Sequence, residues 1–188
     1  MNIQTIAEHS VDLDSLPKRA KVLDLGCLGF AFTYQMIALG HSVYAVDIQK
    51  LKEQSYHQVA ITDYIGNADV YPSSDQQAAR INRKQGQDSF SVRAMTLDHF
   101  SKGVGVGFWD LIKMDIEGSE KEVIFSLDRA PARQISIEFH LHTGVYEETD
   151  VQDMVNKLYS LGYDTVKHDK HKAHGCGMNY WDSLFILK

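Results

Sequence analysis

The 188-residue sequence has few cysteines, few prolines and no long apolar run. Two cysteines are too few for a disulfide scaffold, which predicts a protein of the reducing cytoplasm. No segment approaches the roughly 20 apolar residues that a membrane helix needs, so we expect no membrane association. The acidic N-terminus lacks the hydrophobic segment of a signal peptide, which argues against export. With 25 acidic and 19 basic residues, the net charge of −6 argues against nucleic-acid binding.

What the sequence does contain is an alternation of buried-strand and amphipathic-helix patterns, which predicts one α/β domain over 1–188. Such alternation gives a mostly parallel sheet covered on both faces, with ligands beyond the carboxyl ends of the strands. The polar segment 66–90 is predicted to be a long loop that serves as a lid or substrate segment. Strands are predicted at 41–48, 58–65, 109–116, 134–142, 163–168 and 179–188, a strand and its turn at 21–29, and a strand followed by a short helix within 91–100. Further helices are predicted at 3–16, 30–39, 49–57, 119–128 and 149–161.

The turn after the first predicted strand of the sheet reads Asp-Leu-Gly-Cys-Leu-Gly over 24–29. Its glycines allow the backbone to approach a ligand, and the helix that follows offers free amides. Asp47 ends the next strand, where a carboxylate can accept hydrogen bonds from both ribose hydroxyls of a nucleoside. The combination indicates a nucleoside site rather than an ordinary tight turn.

The kind of nucleoside follows from Leu28, which stands where a dinucleotide site needs its middle glycine. A leucine there would crowd a pyrophosphate, and the P-loop pattern for nucleoside triphosphates is absent from the sequence. S-adenosylmethionine (SAM) has no phosphate and is therefore the favoured cofactor.

A second informative stretch is Asp-Leu-Ile-Lys-Met-Asp-Ile-Glu-Gly-Ser-Glu over 110–120. Alternate residues of a strand point to one side, so Lys113, Asp115 and Glu117 are expected to share a face. Because unpaired buried charge is costly, they need partners, and Glu138, His140 and His142 alternate on the next predicted strand. We expect Lys113 to pair with Glu138. The two charged rows indicate an active site, with a structural ion-pair network as the alternative.

The order of these motifs, VLDLGCLGF, Asp47, TLD (96–98), DLIKMDIEGSE and ISIEFH, resembles the FkbM family of class I SAM-dependent methyltransferases over 21–142. The resemblance implies a Rossmann-like, seven-stranded, mostly parallel sheet with an antiparallel last strand. It also implies O-methylation of a sugar or related small metabolite. The cofactor-binding residues are then predicted to be Asp24, Gly26, Cys27, Gly29, Asp47, Ile48 and Asp115.

The glycine turn departs from the family pattern, in which Asp-x-Gly is followed by a small residue, Asn and, two positions later, a glycine. Leu28 stands at the Asn-like place and Phe30 at the place of the later glycine. A turn one residue shorter would give that role to Gly29 instead.

Transfer of a methyl group to a hydroxyl requires a base, and His140 is the first candidate because histidine titrates near neutrality. Asp115 is the second candidate, with Glu117 completing the predicted catalytic set. The acceptor is predicted to contact Glu138, His142, Arg80 and Arg83.

A divalent metal is left open, since the acidic and histidine side chains of this set are ligand types. A second group in the C-terminal loop does not match a zinc spacing and is predicted to be solvated; it contains His168, His171, His174 and Cys176. Two other functions stay open, a non-catalytic SAM-fold binding module and a nucleic-acid N-methyltransferase. The oligomeric state is also left open.

Overall fold

The computed structural model describes residues 1–52, 55–71, 80–81, 88–172 and 179–188. The strands are β1 (Ile3–Ile6), β2 (His9–Asp12), β3 (Lys21–Leu25), β4 (Ser42–Asp47), β5 (His57–Gln58), β6 (Ala60–Ile61), β7 (Gly66–Tyr71), β8 (Arg80–Ile81), β9 (Phe90–Met95), β10 (Trp109–Met114), β11 (Ala132–Phe139), β12 (Tyr163–Lys172) and β13 (Asn179–Leu187). The α-helices are α1 (Ala31–Ala38), α2 (Leu97–Gly103), α3 (Glu120–Phe125) and α4 (Glu148–Ser160). Short 3-10 helices span Leu13–Ser15 and Leu141–Thr143.

The central sheet has seven strands in the order β12-β13-β11-β10-β3-β4-β5. Parallel pairing runs from β11 to β5, and β13 is antiparallel to both β11 and β12. This topology confirms the predicted Rossmann-like α/β fold with its antiparallel final strand. The carboxyl ends of β3, β4, β10 and β11 consequently meet at one edge of the sheet.

Alternating residues of the central strands form cores on the two faces of the sheet. On one face, Leu23 and Ile112 pack in the larger cluster with helices α3 and α4. On the other face, Val22 and Leu111 pack with α1 and with the hairpin of β1 and β2. The sheet is therefore covered on both sides, as the sequence predicts. In the part of the chain that the structure describes, no helix is long and apolar enough to cross a membrane.

The predicted helix over 3–16 is wrong, because β1 and β2 form an antiparallel hairpin with Ile6 opposite His9. The hairpin is held to the central sheet by Gln134 of β11, a residue far away in the sequence. Its Oε1 accepts a hydrogen bond from the Asp12 amide at 3.0 Å, and its Nε2 donates to the Asp12 carbonyl at 2.9 Å. Tertiary contacts therefore override the helical periodicity of this segment.

The predicted helix over 49–57 is also wrong for its described residues. The Tyr56 hydroxyl accepts a hydrogen bond from the Leu51 amide at 2.8 Å and donates to the Gln49 carbonyl at 3.2 Å. A side chain thus satisfies backbone groups that a helix would pair with each other. The strand predicted over 58–65 is divided between β5 of the central sheet and β6 of a second sheet.

That second sheet corrects the prediction of a continuous loop over 66–90. It has four strands in the order β6-β9-β7-β8, and β7 pairs with β9 over Gly66–Val70. Buried small and branched residues hold it together, among them Ala68, Val70 and Val92. Because polar residues alternate with these along β7, the segment lacks the continuous apolar run of a buried strand.

Candidate active site

The carboxyl ends of β3, β4 and β10 border a cavity of about 580 Å³. The turn after β3 forms one wall, Asp47 lies at the end of β4, and Asp115 and Glu117 follow β10. Ile81 of β8 and the tip of the N-terminal hairpin also line it. The cavity therefore lies where a doubly wound sheet binds its ligands.

Gly26 brings the ends of two strands into contact. Its amide donates to the Val46 carbonyl at 2.9 Å, and the Asp115 amide donates to the Leu25 carbonyl at 3.1 Å. Gly26 has a φ of 78°, and a Cβ added there would lie 1.7 Å from the Asp115 carbonyl oxygen. Only glycine fits this position, since a side chain would separate β3 from the residues after β10.

Two further residues of the turn have left-handed backbone, Gly29 with φ 76° and Phe30 with φ 56°. Phe30 thus adopts the conformation expected of the later glycine in the family pattern, and its ring is buried against Cys27 and Ala45. Leu28 is 41% exposed and lines the cavity. The packing of the aromatic ring compensates for backbone strain that a glycine would avoid.

Lys113 is buried between two carboxylates and lines the cavity. Its Nζ lies 3.3 Å from Asp24 Oδ1 and 3.1 Å from Asp115 Oδ2, and it donates to the Gly26 carbonyl at 2.6 Å. Burial alone would lower the pKa of Lys113, but the charges of Asp115 and Asp24 outweigh it and raise the pKa. Lys113 is therefore a cation that joins the strand ends.

The expected pair of Lys113 with Glu138 is thereby corrected. Lys113 lies opposite Asp24 of β3 and Ser136 of β11, whereas Glu138 lies opposite Asp182 of β13. In the register between β10 and β11, Lys113 is paired with Ser136. Glu138 lies two residues further along β11, towards its carboxyl end.

Asp24 is fully buried and accepts a hydrogen bond from the Thr33 hydroxyl at 2.5 Å. Together with its ion pair to Lys113, this makes Asp24 a residue that orders the cavity wall. Burial strongly raises the pKa of the Cys27 thiol, so Cys27 serves as packing rather than as a nucleophile.

Asp47 presents a desolvated carboxylate at the end of β4. It is 6% exposed, and its Oδ1 accepts a hydrogen bond from the Gln49 amide at 2.8 Å. Burial raises the pKa of Asp47. Hydrogen bonds donated by a bound ligand would act in the opposite direction and favour the charged carboxylate. Ile48 lies beside it on the cavity wall.

Carboxylates from β11 and from the turn after β10 surround the imidazole of His140. Its Nε2 lies 3.3 Å from Asp115 Oδ1, 3.4 Å from Glu138 Oε1 and 3.8 Å from Glu117 Oε1. Glu117 has a left-handed φ of 55°, a conformation that is uncommon outside glycine and concentrates at functional sites. The structure thus brings together the predicted catalytic residues and Glu138.

The strand predicted over 109–116 is shorter in the structure, which changes what directs the side chains of Asp115 and Glu117. The strand β10 ends at Met114, so Asp115 and Glu117 belong to the turn that leads into α3. Turn geometry, and not strand alternation, therefore sets their directions.

A fourth carboxylate, that of Glu120, holds this imidazole in place. Glu120 is fully buried and contacts His140 Nδ1 at 2.9 Å. It also accepts hydrogen bonds from the Gly118 amide at 2.9 Å and the Tyr146 hydroxyl at 3.0 Å. The sequence motif includes Glu120, but its role depends on α3 turning back towards β11.

The sequence matches the family model described as "Methyltransferase FkbM domain" over residues 17–165. The chain belongs to the FkbM methyltransferase family. This membership confirms the predicted family, the methyltransferase class and SAM as the methyl donor. The comparison with curated proteins finds no match.

Several solved methyltransferase structures are similar to this FkbM-family chain. Magnesium protoporphyrin IX methyltransferase from Synechocystis PCC 6803 with bound SAM has 16% identity and a TM-score of 0.48, covering 93% of this chain and 73% of that one. The 1,6-didemethyltoxoflavin-N1-methyltransferase from Burkholderia thailandensis has 14% identity and a TM-score of 0.49, covering 91% and 72%. A TehB-like SAM-dependent methyltransferase from Corynebacterium glutamicum has 15% identity and a TM-score of 0.46, covering 92% and 82%.

His9 is a site residue of this FkbM-family chain that the sequence did not reveal. It belongs to β2, outside the family match, and its Nε2 lies 3.5 Å from Asp115 Oδ2. The hairpin tip turns at Ala7 (φ 44°) and Glu8 (φ 74°), both left-handed. Since favoured two-residue hairpin turns contain Gly, Asn or Asp, Ala-Glu gives no hairpin signal.

The remaining predicted residues are only partly described. His142 lies beside the cluster, with its ring 5.5 Å from that of His140. Arg80 lies in β8, but its side chain, like the whole of Arg83, lies outside the described residues. In the C-terminal group, His168 Nδ1 contacts the Ser183 hydroxyl at 2.7 Å, while His174 and Cys176 lie outside the described residues.

Proposed function

We propose that this chain is a SAM-dependent O-methyltransferase whose acceptor is a hydroxyl of a sugar or related small metabolite. The observation that carries the proposal is the cavity at the carboxyl edge of the sheet. A desolvated carboxylate, Asp47, borders it at one strand end, and the carboxylates Asp115 and Glu117 border it at another. One edge of the fold thus offers both a nucleoside subsite and a polar subsite for chemistry.

The residues of the cavity fit the cofactor. Asp47 is suited to accept hydrogen bonds from ribose hydroxyls, because burial has removed its competing water. Leu28 is compatible with a nucleoside that carries no pyrophosphate. When bound, SAM supplies a methyl group on a positively charged sulfur. Acidic side chains at the cavity edge favour a cationic ligand of this kind.

The chain's own part in the reaction is to orient the acceptor and to receive its proton. Holding the hydroxyl in attack geometry accounts for a large part of the acceleration of a displacement reaction. Asp115 and Glu117 line the cavity and are therefore the groups that meet the hydroxyl. His140 is only 2% exposed and lies behind them, so we assign it a positioning role and transfer the role of base to the two carboxylates.

Oxygen is the preferred acceptor atom because an alcohol must lose a proton as it attacks, and this site provides carboxylates for that purpose. An amine that attacks as the free base has less need of such a group. The net charge of −6 disfavours a nucleic-acid acceptor.

We expect Glu117→Gln to lower kcat by about 10²–10⁴-fold, the usual contribution of a positioned base. The measurement is transfer of labelled methyl from SAM to a panel of hydroxylated metabolites and to their amino analogues. The wild-type chain is expected to methylate hydroxyl members of the panel in preference to the amino ones.

Glu122→Gln is the matched control. Glu122 lies close to Glu117 in the sequence and is also half-buried, but it lines a different surface depression. It should retain the wild-type rate. Preference for the amines, or equal rates for the two glutamate variants, would contradict the proposal.

A further inference from the structure

We propose that Asp115, Glu117 and His140 form a binding site for a divalent transition-metal cation. The inference rests on the proposed function, since these residues border the acceptor side of the same cavity. One ligand atom from each of the three lies within 4.8 Å of the other two. Such a set of two carboxylates and one imidazole suits Mn²⁺, Fe²⁺ or Zn²⁺ better than Ca²⁺, which takes oxygen ligands.

Two of the distances from His140 Nε2, those to Asp115 and Glu138, fit a shared cation better than a hydrogen bond, and the distance to Glu117 is slightly longer. Its three carboxylate neighbours lie at 3.3, 3.4 and 3.8 Å, whereas a charge-assisted N–H···O bond is about 2.7–2.9 Å long. A single N–H also points at only one acceptor. Cis ligand atoms that share a metal at about 2.0–2.2 Å are separated by roughly 2.8–3.6 Å in octahedral and tetrahedral sites.

The second feature is the way Glu120 orients the ring. Metal-binding histidines commonly donate their other nitrogen to a carboxylate, which fixes the tautomer and the direction of the lone pair. Glu120 contacts His140 Nδ1 at 2.9 Å and is itself held by the Gly118 amide and the Tyr146 hydroxyl. Held in this way, the ring keeps Nε2 directed at the carboxylates, an arrangement that a cation would stabilise.

His9 provides independent support from a different part of the chain. It is 3% exposed, its Nε2 points at the second oxygen of Asp115, and its Nδ1 has no hydrogen-bond partner among the described residues. His9, Asp115 and Glu138 form a second group whose ligand atoms lie within 4.8 Å of one another. Two buried imidazoles therefore flank one carboxylate, one on each of its oxygens.

The balance of charge also favours a cation. Among the described residues, four carboxylates meet at this point, from Asp115, Glu117, Glu120 and Glu138, and Lys113 contacts that of Asp115. A divalent cation would offset the excess negative charge and would make an acceptor hydroxyl more acidic. A carboxylate that binds a metal through one oxygen can still accept a proton on its other oxygen, so the metal site is compatible with the proposed role of Glu117 as a base.

The test is titration of the purified chain with Mn²⁺. Electron paramagnetic resonance measures binding as the loss of the signal of the free ion. We expect one Mn²⁺ per chain, with affinity reduced about tenfold or more in Glu117→Gln and in His140→Gln. Glu122→Gln, the matched control outside the cluster, should bind as the wild type does. Glu117 is partly exposed, so its variant keeps the test decisive if His140→Gln fails to fold.

Absence of Mn²⁺ binding, or equal affinity in Glu117→Gln and Glu122→Gln, would overturn the metal site and identify the cluster as an ion-pair network around a protonated His140. Calorimetry with S-adenosylhomocysteine on the same preparation separates the two proposals. If the chain binds S-adenosylhomocysteine but does not bind Mn²⁺, only the metal site is contradicted. If the chain binds Mn²⁺ but does not bind S-adenosylhomocysteine, only the proposed function is contradicted.

Discussion

Gly26→Ala is expected to lower the free energy of unfolding by about 4 kcal/mol, a loss at the upper end for single substitutions. The new Cβ would lie 1.7 Å from the Asp115 carbonyl oxygen, and that oxygen and the Cα that carries the Cβ belong to backbone held between neighbouring strands. Neither partner has a flexible end that can move away, so β3 must separate from the turn after β10. Urea denaturation followed by circular dichroism measures the change.

Gly29→Ala is the matched control, because Gly29 shares the turn and the left-handed φ but has no atom within 4 Å of an added Cβ. It should lose only the backbone strain of about 1–2 kcal/mol. Equal losses in the two variants would show that close approach at Gly26 does not hold the strand ends together.

Lys113→Met is expected to cost about 3–5 kcal/mol, because removing one partner of a buried ion pair leaves an uncompensated charge. The Asp24 carboxylate is fully buried and would keep only the Thr33 hydroxyl of its two partners. The free energy of unfolding from urea denaturation measures the loss. Lys102→Met, which removes an exposed ion pair on α2, should change stability little.

A double variant tests whether the charge of Asp24 is the cause. Asp24→Asn combined with Lys113→Met removes both charges, so its loss should be smaller than the sum of the two single losses by about 1–3 kcal/mol. Strictly additive losses would contradict the account of Lys113 as the cation that neutralises Asp24.

The sequence predicts the central sheet well because its strands are doubly buried. Apolar runs such as 21–25 and 109–114 can satisfy both faces only inside a parallel sheet, and the structure places β3 and β10 there. Periodicity also locates α4 to within one residue at each end, since one face of that helix is buried. These elements are determined by local pattern and burial together.

Elements that depend on distant partners escape such prediction. The N-terminal hairpin is held by Gln134, 122 positions away from Asp12, and the segment over 49–57 is held by a local side chain, the hydroxyl of Tyr56. Neither contact leaves a mark on local periodicity. The strands of the second sheet are short and polar on one side, which makes them resemble a loop in the sequence.

The candidate site shows the same division. Asp47, Asp115 and Glu117 follow strands whose carboxyl ends meet, so topology alone places them at one cavity. His9 and the role of Glu120 depend on the hairpin and on the direction of α3, which no local pattern specifies.

The assignment of this cavity to the cofactor is tested most directly by calorimetric titration with S-adenosylhomocysteine, the product of methyl transfer. The wild-type chain and Asp47→Asn are titrated side by side. We expect one molecule bound per chain. We also expect affinity at least about tenfold weaker in the variant, since a hydrogen bond to a charged group contributes roughly 1.5–3 kcal/mol. Asp63→Asn, an exposed aspartate outside the cavity, should bind as the wild type does. No binding to the wild type, or equal affinity in wild type and Asp47→Asn, would contradict the assignment of this cavity to the cofactor.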